Sequence, residues 1–74
     1  YGENPELFEA LRILRKKIAD GQHVPPYIIF SDVTLKEMAN TLPKTKEAFA
    51  EIKGVGKQKL TLYADKFLVE IKKF

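Results

Sequence analysis

Apolar positions along the chain recur at helical spacing. Leu7, Leu11, Leu14 and Ile18 stand four, three and four residues apart. At about 100° per residue they form one stripe, which Phe8 widens. Asn4 reads as an N-cap and Pro5 as the first helical residue, where a missing N–H costs nothing. Asp20-Gly21 reads as the stop, with Gly21 left-handed. The spacing therefore predicts a first helix over 5–20. Pro25-Pro26 interrupts the helical pattern, and Tyr27-Ile28-Ile29-Phe30 follows as a short apolar run. With no second strand to pair with, this run reads as one helical turn opened by Pro26, with Ile28, Ile29 and Phe30 in the core.

Ser31 or Asp32 caps a third helix to about Asn40, with Leu35, Met38, Ala39 and Leu42 facing inward. Pro43 ends it. Thr45 caps a short fourth helix carrying Ala48, Phe49 and Ile52, and Gly54-Val55-Gly56 is a turn. A last helix over 57–73 has the stripe Leu60, Ala64, Phe67 and Ile71, flanked by Tyr63 and Leu68. Leu62 and Val69 fall opposite that stripe. Burial on two sides is the favoured reading for them; contact with another domain or protein is the other. The first and last helices carry the strongest stripes and are expected to pack together. The expected fold is all-α: a compact five-helix bundle, two helices long and three short, forming a single domain over 1–74.

Composition narrows the function. The chain has 74 residues, 45% of them hydrophobic and 31% charged, which suits a globular domain rather than a disordered one. Its radius of gyration should be roughly 11 Å. Thirteen basic against ten acidic residues leave +3, too little for a polycation but enough for a local basic patch. Without cysteine there is no disulfide or thiolate site, and His23 alone makes a poor zinc site. No apolar run approaches the roughly 20 residues of a membrane span. Because the chain opens on Tyr1, it is expected to be a piece of a larger protein.

Catalysis finds little support. Ser31 before Asp32 reads as a cap, His23 as a solvated loop residue, and Glu47 with Glu51 as an exposed acidic pair. Gly54-Val55-Gly56-Lys57 is not a nucleotide phosphate loop. Glu51 stands where that loop needs glycine, and Gln58 where it needs Ser or Thr.

Binding finds more. Basic clusters lie at Arg12, Arg15, Lys16 and Lys17, at Lys44 and Lys46, and at Lys53, Lys57 and Lys59. The Gly-Val-Gly turn opens a helix whose first N–H groups, reinforced by Lys53 and Lys57, suit a phosphate. It equally suits close helix packing. Tyr27, stiffened by two prolines, either stacks on a base or joins the core. The residues alone leave both questions open.

The string Val24-Pro25-Pro26-Tyr27-Ile28-Ile29-Phe30-Ser31-Asp32, followed by Thr34-Leu35 and Glu37-Met38-Ala39, resembles the HRDC domain (helicase and RNase D C-terminal). Leu7-Phe8, Leu11-Arg12, Leu14-Arg15 and Ile18-Ala19 upstream fit the same family, as do Ile52-Lys53-Gly54-Val55-Gly56 and Lys59-Leu60. The likeness is greatest to bacterial RecQ-type DNA helicases and covers nearly the whole chain. It implies a five-helix bundle serving as a non-catalytic accessory module behind a helicase motor. ATP and Mg would belong to the motor, with no cofactor in this domain. The implied partner is single-stranded or branched DNA, held weakly and without sequence preference, so as to tune substrate choice in repair and recombination. The implied contacts are Tyr27 with Arg15, Lys16 and Lys36, and secondarily Lys53 and Lys57. A monomer in the cytoplasm, at the nucleoid of a bacterium, is expected. Two alternatives stand beside this. One is docking on the helicase core or another protein through Leu62 and Val69; the other is RNA binding in an RNase D type exonuclease.

Overall fold

Each helix of the computed structural model, which describes residues 4–74, starts where a local signal dictates. The chain order is α1 (Pro5–Gln22), α2 (Pro26–Ile29), α3 (Asp32–Thr41), α4 (Lys46–Ala50) and α5 (Lys57–Lys72), with no strand among the described residues. Asn4 Oδ1 accepts from the Leu7 N–H at 3.2 Å, and Pro5 follows as the first helical residue. Ser31 Oγ accepts from the Thr34 N–H at 3.2 Å, which makes Ser31 the cap of α3. Thr45 Oγ1 accepts from the Ala48 N–H at 3.1 Å. These oxygens satisfy N–H groups that have no partner inside the helix.

The end of α1 differs from expectation. Gly21 is helical, and the left-handed residue is His23, with φ 59°. The N–H of Val24 reaches the Ala19 carbonyl at 3.1 Å and that of His23 reaches Asp20 at 3.2 Å. These two bonds form a Schellman motif, closed by Val24 against Ala19. The motif places the stop where an apolar residue returns to the core, two residues beyond the glycine. Leu42 ends α3 in the same left-handed region, with φ 52° and its N–H on the Met38 carbonyl. The following Pro43 bars Leu42 from continuing the helix.

The core closes around Phe30. Its ring meets Phe67 edge-on at 5.0 Å, Tyr63 at 6.0 Å and Phe49 at 6.1 Å. Leu7 and Leu11 of α1, Leu35 and Met38 of α3, and Ile71 of α5 complete it. Helices α1 and α5 pack together as expected, and Gln22 Nε2 donates to the Tyr63 hydroxyl at 2.9 Å across their seam. The radius of gyration is 11.0 Å.

Three apolar assignments are corrected. Ile28 is 46% exposed, because the single turn of α2 directs Tyr27 and Ile28 outward before Ile29 turns in. The fourth helix ends at Ala50, so Ile52 is not on it and enters the core from the following turn, while Ala48 on the helix is exposed. Leu62 and Val69 are 55% and 59% exposed, so α5 is buried on one side only.

Candidate nucleic-acid interface

The junction between α2 and α3 gathers residues from across the chain. Tyr27 leaves α2 with 67% of its surface exposed and has no hydrogen-bond or ring partner among the described residues. Two prolines before it fix the backbone, so the ring is presented from a stiff turn. Three residues on, Phe30 is fully buried and receives two cations. Arg15 Nη1 donates to the Phe30 carbonyl oxygen at 2.9 Å, and Lys59 Nζ stands 5.6 Å from the centre of its ring.

Arg15 departs from its expected outward position. It is 8% exposed, and its Nη1 also pairs with Asp32 Oδ1 at 2.8 Å. Its Nε is buried without a partner. The guanidinium is turned inward onto the junction and is not open to a phosphate. The sequence hides this, because Arg15 reads equally as a member of the Arg12–Lys17 basic run. The signal is its place in the register: Leu7, Leu11, Arg15 and Ala19 are the four buried residues of α1, each four residues from the next.

The other expected cations sit on separate elements: α1, α3, and the loop before α5 with the first residue of α5. Lys16 is exposed, about 100° round α1 from Arg15, and pairs with Asp20 at 3.1 Å. Lys36 lies half-buried on α3. Lys53 and Lys57 are exposed on either side of the Gly-Val-Gly turn. Thr34 Oγ1 of α3 donates to the Lys53 carbonyl at 3.0 Å, which anchors this loop to α3. Gly54 has φ +98°, and a Cβ there would collide with the Thr34 hydroxyl. A glycine is therefore required for the close approach. Gly56 caps α5 without a side-chain oxygen, so the first N–H groups of α5 face the shallow depression formed by Gly54 to Lys59. Lys59 stands out in the sequence only as part of a basic cluster; its place over Phe30 ties that cluster to the junction.

The model of the HRDC domain matches residues 4–71. The chain belongs to the HRDC family. This HRDC domain is 51% identical over 97% of its length to the ATP-dependent DNA helicase RecQ of Bacillus subtilis, covering 12% of that protein. It is 46% identical over 89% of its length to the ATP-dependent DNA helicase RecQ of Haemophilus influenzae, covering 11% of that protein. It thus spans about a tenth of those helicases. Among solved structures, D. radiodurans RecQ HRDC domain 3 superposes with a TM-score of 0.91 at 29% identity, over 97% of this chain and 95% of that one. The five-helix all-α fold read from the sequence is the HRDC fold, and the likeness to RecQ-type helicases holds. Among the described residues no helix is long and apolar enough to cross a membrane, and no three His, Cys, Asp or Glu gather as a metal site.

Proposed function

We propose that this HRDC domain is the nucleic-acid-binding accessory module of a RecQ-type DNA helicase, holding single-stranded or branched DNA without sequence preference. The observation that carries this reading is the exposed, unpartnered Tyr27 ring beside a junction on which the cations Arg15 and Lys59 converge. The ring stacks on a base, a contact that every base offers. Lys16, Lys36, Lys53 and Lys57 neutralise phosphates, and the open N-terminus of α5 adds a partial positive charge. Arg15 supports the junction from below, as a positioning residue for Tyr27. The domain acts as a monomer inside the cell, on DNA that the motor repairs or recombines. ATP and Mg serve the motor. The relatives are DNA helicases, which favours DNA over the RNA of an RNase D type enzyme.

Binding of a labelled single-stranded oligonucleotide, read by fluorescence anisotropy at low salt, tests the reading. Salt-sensitive binding supports it, and no binding at low salt ends it.

Docking on the helicase core through Leu62 and Val69 gains from their exposure. However, Asp65 and Lys66 stand on the turn between them, so they are two separate apolar residues and form no patch.

A further inference from the structure

We propose that the seam between α1 and α5 is a docking groove for an acidic amphipathic helix of a protein partner. This inference goes beyond nucleic-acid binding and does not rest on it. Two adjoining depressions run along the seam and share Leu14 and Lys17. One reaches Ile18 and Lys66; the other reaches Ile13 and Glu70. Together they make one furrow between two packed helices, the shape that receives the ridge of a third.

Its chemistry selects the occupant. Half-buried Leu14 and Ile18 form an apolar floor, and Ile13 stands on the rim with 51% of its surface exposed. Lys17 and Lys66 are exposed and have no ion-pair partner among the described residues, whereas Glu70 pairs with Lys73 at 3.6 Å. The furrow thus offers apolar contact and two free positive charges. A helix with leucines on one side and glutamates beside them matches both. A nucleic-acid strand matches only the charge, because among the described residues no aromatic ring lines the furrow for a base to stack on.

Its position keeps it apart from the Tyr27 junction. On α1, Leu14 and Lys17 lie about 100° and 160° round from Arg15 in the same sense, so the furrow opens on a different face of the helix from the junction. Both ligands can bind at once.

The test uses a fluorescein-labelled helical peptide with glutamates on one face and leucines on the other, titrated into the 15N-labelled domain. A second peptide carries glutamine for every glutamate. The acidic peptide should shift the amides of Ile13 to Ile18 and of Lys66 to Glu70. Combining Lys17→Glu with Lys66→Glu should weaken it at least tenfold while amide dispersion stays native; Lys17→Gln alone should weaken it about threefold. The glutamine peptide should bind at least tenfold more weakly. Single-stranded DNA should leave the bound peptide in place. Equal binding by the charge-reversed domain, no shifts at all, or shifts centred on Tyr27 would overturn the proposal. So would displacement of the peptide by DNA, which would make the furrow a nucleic-acid surface, or self-association of the domain through these residues.

Discussion

The guanidinium of Arg15 and the carbonyl of Phe30, fifteen residues apart in the chain, meet at 2.9 Å in the interior of the fold. The bond ties α1 to the end of the turn that carries Tyr27. Arg15→Met keeps the aliphatic stem but leaves that buried carbonyl unpaired, so it should cost about 1–3 kcal/mol in stability. Asp32 is largely exposed, and Asp32→Asn should cost less than about 1 kcal/mol. Urea unfolding of the two variants measures the difference. Equal losses would mean that the ion pair, and not the carbonyl bond, holds the junction.

Tyr27 contributes little to the core, so Tyr27→Ala should change stability by less than about 0.5 kcal/mol. It should nevertheless weaken single-stranded DNA binding by about 1–3 kcal/mol. Tyr27→Phe should bind nearly as wild type, because stacking uses the ring face and not the hydroxyl. Anisotropy titrations beside thermal melts separate the two effects. A Phe variant as weak as the Ala variant would replace stacking with a hydrogen bond.

The glycines should respond in opposite directions. Gly21 sits inside α1 with open space where a Cβ would go, so Gly21→Ala should stabilise by about 0.5–1 kcal/mol. At Gly54 the same change meets both a left-handed backbone and the Thr34 hydroxyl, and should destabilise by about 1–3 kcal/mol. Midpoints of chemical denaturation report both. A destabilised Gly21→Ala would place the left-handed stop of α1 at Gly21 after all.

Phosphate neutralisation gives binding a salt signature. With four lysines each on a phosphate, the logarithm of affinity should fall against the logarithm of salt concentration with a slope of about −2.8 for a single strand. Combining Lys53→Gln with Lys57→Gln should flatten that slope by about 1.4, at roughly 0.7 for each phosphate no longer neutralised. Measurable binding with a slope near zero would remove the pairing of lysine with phosphate from the mechanism.

Helix positions are legible in the sequence because local signals set them. Asn4, Ser31 and Thr45 cap where their side chains predict, and Pro26 opens a single turn. The end of α1 is less legible. Gly21 is the better left-handed residue, but the packing of Val24 against the core is a tertiary gain that selects His23 instead. Arg15 shows the same limit within the candidate site. A basic run says which residues are charged, whereas the buried register of α1 decides which of them turns inward. The exposure of Leu62 and Val69 depends on how many helices cover α5, which periodicity along one helix does not encode. Tyr27 is ambiguous for a related reason. In a single helical turn the inside and outside are set by the neighbouring helices alone.

The most direct measurement is residue-resolved: titration of the 15N-labelled domain with single-stranded DNA at two salt concentrations. Tyr27, Lys36 and the Gly54–Lys59 segment should shift together, with one dissociation constant that rises with salt. Shifts confined to the α1–α5 seam, or a Tyr27 amide and ring that stay still while DNA binds, would contradict DNA binding at the Tyr27 junction.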